Sequence, residues 1–132
     1  MSRLTWFQNT SVPGVDFLTP VIPDGAPETL TATAPACSVE KFVSILDGTS
    51  NNVAATLADG IADGQLKRVT SAVIGGNTIT LTIASPVSSS LNVVTFTVIG
   101  DTVDLIWNAE DGYWRVYQLV DTDRDSDTPT VA

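Results

Sequence analysis

The residue types that do chemistry are thinly spread in this chain. Four carboxylates, Asp101, Asp104, Glu110 and Asp111, fall close enough in sequence to suggest an acid/base pair. Each stands at or beside a turn, where an Asp or Glu is explained by bonding to nearby amides, and no nucleophile or base accompanies them. Asp121, Asp123 and Asp125 match the first three ligands of a calcium loop, but Ser126 stands where the turn glycine is needed and Ala132 where the bidentate glutamate is needed. The pattern therefore predicts a solvated acidic stretch. Cys37 is the single cysteine and the chain has no histidine, so neither a Cys/His nucleophile nor a zinc site is expected, and Cys37 is expected to be a small buried thiol. No cofactor and no catalytic activity is expected.

Two other groups of side chains could act by contact. Trp107, Tyr113, Trp114 and Tyr117 fall on a predicted hairpin around Ala109–Gly112, where they would pack across strands or, if exposed, offer a platform for a glycan. Core packing is the favoured reading, because a small β-domain needs such side chains to fill its interior. Lys67 and Arg68 form the one adjacent basic pair. On a strand they alternate between faces, so they cannot make a phosphate-binding stripe and are expected to meet carboxylates of the same or a neighbouring chain.

The elements that would carry these groups are strands. The 132 residues suit one domain, 43% are hydrophobic and 16% charged, and the net charge is −9. A nucleic-acid partner is not expected at that charge, and no apolar run reaches the length of a membrane-spanning helix. The N-terminus lacks the apolar segment of a signal peptide, so synthesis in a cytoplasm is expected. So few charges leave a surface of Thr, Ser, Asn and apolar atoms, of the kind often covered by a neighbouring subunit, although a Thr-rich secreted β-domain would look the same.

Residues 1–27 carry Pro13, Pro20, Pro23 and Pro27 without helical or strand periodicity, and predict an extended arm. Trp6, Phe7, Phe17, Leu18 and Ile22 are its apolar anchors, placed to seat it in a groove of its own domain or of a partner. Residues 28–132 form the β-rich domain with an acidic tail. Glu28–Ala34 alternates with Leu30, Ala32 and Ala34 on one face, and Pro35 ends the strand. Ser38–Leu46 fits either a short helix or a strand, the strand being favoured. Val53–Leu57 is a strand that runs into the corner Leu57–Lys67, where Asp59-Gly60 and Asp63-Gly64 predict two reversals with positive φ at the glycines. Lys67–Ile74, Gly75-Gly76-Asn77 and Thr78–Ala84 predict a hairpin. Asn92–Ile99, Thr102–Asn108 and Tyr113–Val120 predict three more strands. The expected fold is all-β, a compact sandwich or barrel-like domain with an N-terminal arm.

Several of these segments, taken in order, resemble a module of small structural proteins of tailed bacteriophages, cyanophage-like ones among them. They are Leu57-Ala58-Asp59-Gly60, Asp63-Gly64-Gln65 with Lys67, Gly100 through Trp107, Asp111-Gly112-Tyr113-Trp114, and Thr130-Val131-Ala132. The resemblance covers Val53 to Ala132; the first 52 residues lie outside it, and the tail is longer and more acidic than the module's. It implies a homotrimeric capsid decoration (cement) protein that binds the outer surface of an icosahedral head and the major capsid protein, located on the virion. The alternative it leaves open is a tail-fibre or receptor-binding domain that recognises host-surface glycan. Under the first reading the arm anchors would attach to the shell, and Lys67 and Arg68 would pair with carboxylates at a subunit interface.

Overall fold

The computed structural model describes residues 25–120 and the backbone of Thr130–Val131. The arm anchors Trp6, Phe7, Phe17, Leu18 and Ile22 and the acidic residues 121–129 lie outside the described residues. The described residues form ten strands: β1 (Glu28–Leu30), β2 (Ala36–Cys37), β3 (Val43–Asp47), β4 (Val53–Leu57), β5 (Leu66–Val73), β6 (Ile79–Ile83), β7 (Val93–Phe96), β8 (Thr102–Asn108), β9 (Tyr113–Val120) and β10 (Thr130–Val131). A 3-10 turn at Ser89–Leu91 is the one helical element among the described residues. The all-β expectation holds. The strands form two open five-stranded sheets, ordered β1-β3-β5-β8-β9 and β10-β7-β6-β4-β2, which do not close into a barrel.

The path of the chain explains the mixed pairing. From β1 to β6 it changes sheet after every strand, so β1, β3 and β5 pair in parallel in the first sheet while β2, β4 and β6 pair in parallel in the second. Parallel neighbours need a crossover, commonly a helix; here each crossover is a strand of the opposite sheet. After β6 the chain folds back on itself: β7 pairs antiparallel with β6, and β8 and β9 add antiparallel strands beside β5.

Alternation decides which side chains enter the core. In β4, Val53, Ala55 and Leu57 are buried while Ala54 and Thr56 are exposed, and in β6 Ile79, Leu81 and Ile83 are buried. These residues meet Leu46, Val69, Val103, Leu105, Trp107 and Trp114 of the first sheet in one cluster. Cys37 is buried in the same cluster, and burial pushes its thiol above the ordinary value.

Three expectations are corrected. Gly75 and Gly76 do turn, at φ of 61° and 80°, and Asn77 N–H bonds Ile74 O at 2.9 Å, but the turn carries the chain from one sheet to the other. β5 and β6 are therefore not a hairpin, since each aims its alternate side chains at the other's sheet. The strand expected over Glu28–Ala34 stops at Leu30, and Ala32 and Ala34 are exposed. The chain leaves the first sheet there to reach β4, where Thr33 and Pro35 carbonyls accept from Ala54 and Thr56 N–H. At the corner, Gly64 has φ of 79°, whereas Gly60 is not among the positive-φ glycines.

Candidate functional site

The adjacent pair Lys67-Arg68 is split by the pleat of β5. Lys67 points inward and is 1% exposed. Its Nζ donates to Ser38 O at 2.6 Å, Lys41 O at 2.7 Å and Ser44 Oγ at 2.7 Å, with Glu28 Oε1 at 3.9 Å. Glu28 Oε1 in turn accepts from Ser38 N–H at 2.7 Å and from the Ser44 hydroxyl. One ammonium thus ties β1, the 38–42 loop and β3 to β5. Burial pulls the Lys67 ammonium below its ordinary value. Placed so, Lys67 is a core group and is not at the surface to serve as an interface cation.

The aromatic hairpin divides in the same way. Trp107 and Trp114 are opposite each other in register, their rings edge to face at 5.3 Å and 63°. They are 7% and 1% exposed, and Trp114 Nε1–H donates to Ala58 O at 2.9 Å. Neither indole belongs to a surface platform. Tyr113 stands at the hairpin end, donating to Asp111 Oδ2 at 3.0 Å, a bond that pushes its phenol above the ordinary value. Tyr117 is 69% exposed and lies at a β-bulge, where Asp104 faces Gln118 and Leu105 faces Val116.

What reaches solvent is the outer face of the first sheet. Its centre is Arg68 opposite Asp104: Nε donates to Oδ1 at 2.7 Å and a terminal guanidinium nitrogen to Oδ2 at 2.8 Å. This bidentate fork holds the guanidinium above its already high ordinary value. The guanidinium also lies 5.7 Å from the centre of the Phe42 ring. One step along the strands Leu66 faces Ile106, and one step the other way Thr70 faces Thr102, whose hydroxyl donates to Thr70 Oγ1 at 2.8 Å. Phe42, Leu66, Arg68, Asp104 and Tyr117 border a hollow of about 100 Å³. Leu66 is 49% exposed. The result is an apolar patch with a charge pair at its centre, and the two charges cancel.

A second hollow, of about 480 Å³, lies at the Asp-Gly corner and is lined by Glu40, Ile61, Ala62, Asp63, Gly64 and Gln65. Gln65 links its two walls, accepting from Ile61 N–H at 2.7 Å and donating to Val39 O. Asp63 Oδ1 accepts from Ala109 N–H at 2.9 Å, which ties the corner to the β8–β9 turn.

The four carboxylates considered for catalysis are not brought together. Asp101 and the Glu110–Asp111 pair stand at opposite ends of β8, and Asp104 is held by Arg68. Asp101 is fully buried: its Oδ2 accepts from Thr97 N–H, Thr97 Oγ1–H and Val98 N–H at 2.9, 3.1 and 2.9 Å. Among the described residues no three His, Cys, Asp or Glu side chains gather as a metal site, and no helix is long and apolar enough to cross a membrane. Sequence reasoning singled out Arg68 and Tyr117 but missed Phe42, Leu66 and the role of Asp104. Asp104 lies 36 positions from Arg68, so only the β5–β8 register pairs them.

No protein-family model matches the chain, and no curated protein matches it. Among solved structures it is similar to a chain in the structure of a chaperone-substrate complex, with a TM-score of 0.44 and 18% identity over 72% of this chain. The match spans 18% of that chain.

Proposed function

We propose that the chain is a virion structural protein: a capsid decoration protein that assembles as a homotrimer on the outer surface of an icosahedral phage head and stabilises contacts between major capsid subunits. It acts by added contact area and catalyses nothing. Three attachments joined in one trimer behave as one strong attachment, so modest contacts suffice to slow the separation of shell subunits. The order of turn and strand motifs from Val53 onward supports this reading. The observation that carries it is the outer face of the first sheet, where exposed Leu66 and Tyr117 surround a self-cancelling Arg68–Asp104 pair on a chain of net charge −9. Copies that repel one another elsewhere meet least resistance there.

The glycan-binding alternative loses its two indoles to the core and retains Tyr113 and Tyr117. The test is the copy number of the protein in purified particles, measured against the major shell protein by quantitative mass spectrometry. A count comparable with the shell protein is the expected result. A few copies per particle would move the protein to the tail or a vertex, and absence from particles would overturn the virion reading.

A further inference from the structure

We infer that the corner hollow is a docking site for a basic and apolar peptide segment of a partner protein, one that places an Arg or Lys beside an aliphatic side chain. The hollow measures about 480 Å³, within the size range of binding pockets. Ile61 stands in its lining with 67% of its surface exposed. Two carboxylates share that lining, Glu40 and Asp63, and no cation does among the described residues. Glu40 uses its backbone N–H on Ser38 Oγ at 3.2 Å, and its carboxylate has no bonding partner among the described residues. Lys41, the next residue, has its ammonium against Gly25. The complement of an aliphatic side chain flanked by anions is an aliphatic side chain flanked by cations.

The walls are held before any partner arrives. Gly64 N–H bonds Trp107 O at 2.9 Å, Trp107 N–H bonds Gln65 O at 2.8 Å, and Gln65 N–H bonds Ala62 O at 3.1 Å. With Ala109 N–H on Asp63 and Ile61 N–H on Gln65, the corner is bonded to β8, to the β8–β9 turn and to itself. A corner so tied loses little conformational entropy when it binds. Docking at this corner requires no virion and is open to measurement on the isolated protein.

The test is an NMR titration of the full chain with acetyl-Gly-Arg-Leu-Arg-Gly-amide, with acetyl-Gly-Glu-Leu-Glu-Gly-amide as the charge-reversed control. The expected result is saturable shifts at Ile61, Gly64 and Gln65 with the basic peptide at a Kd of about 1 mM or tighter, and none with the acidic one. Glu40→Gln should weaken binding about three- to fivefold and make it less sensitive to salt. Ile61→Ser should weaken it about tenfold. Both positions are exposed, so both variants should fold, which circular dichroism checks. Failure to saturate, equal response to the two peptides, or binding that neither substitution changes would overturn the inference.

Discussion

Gly60 shows how one residue sets the geometry of the corner. Its φ needs no glycine; what excludes a side chain is Trp107, because a Cβ at position 60 would lie 2.7 Å from Trp107 Cβ and closer still to the indole ring. Gly60→Ala should therefore displace the indole and cost about 1–3 kcal/mol, read as a lower urea midpoint with a shifted tryptophan emission. Lys67 is the second residue whose replacement has a defined sign. Lys67→Met removes the donor to two carbonyls and a hydroxyl and leaves Glu28 without its cation, which should cost about 3–5 kcal/mol, measured by denaturant unfolding at pH 7. Burial depresses the folded-state pKa of Lys67, so between that value and 10.5 the folded chain binds fewer protons at this site than the unfolded chain. The stability difference between wild type and Lys67→Met should accordingly grow as pH rises through that alkaline window, and a difference that shrinks there would contradict the assignment.

At the scale of elements, the turns decide more than the strands do. The turn between β7 and β8, which carries the chain from the second sheet back to the first, is closed by Asp101 through its three bonds to Thr97 and Val98. Asp101→Ala leaves buried amide donors without an acceptor and should cost about 2–4 kcal/mol. Asp101→Asn keeps an acceptor oxygen and should lose less, a contrast readable by thermal unfolding of the two variants. Strand positions were legible because alternation is local: Val53–Leu57 and Thr102–Asn108 have the bounds expected of them. Strand partners were not legible. Gly75-Gly76-Asn77 carries a strong hairpin signal, and the local turn does form, yet whether the chain returns to the same sheet or crosses to the other depends on which surface its apolar side chains must meet. The same limit hid the candidate site. Arg68 could be picked out as a surface cation, but Asp104, Phe42 and Leu66 join it only through the β3–β5–β8 register and the 38–42 loop. Trp107 and Trp114 are in the core, the reading favoured on the simpler ground that a domain of this size has few other large side chains with which to fill it.

For the whole molecule, the two outer faces make a natural control for each other. Among its described residues the second sheet presents Ala54, Thr56, Thr80, Thr82, Val93 and Thr95, none larger than valine, whereas the first presents Leu66, Ile106 and Tyr117 around the Arg68–Asp104 fork. If copies of the chain associate through the first face, a carboxylate placed on it does two things: it buries an unpaired charge in the contact and it adds to the repulsion between chains that each already carry −9. Leu66→Glu should therefore lower the mass observed by light scattering from that of a trimer to that of a monomer at protein concentrations of tens of micromolar, and raise the apparent dissociation constant by about tenfold or more. Thr82→Glu places the same charge on the exposed face of β6 and should leave the assembly unchanged. Both positions point to solvent, so neither substitution touches the core and the melting behaviour of the separated chains should stay the same. A wild-type chain that is monomeric at every concentration would remove the self-association reading, and an assembly broken by Thr82→Glu alone would transfer it to the second sheet. Disassembly by Leu66→Glu with binding of the basic peptide retained would show that subunit contact and partner docking use separate sites.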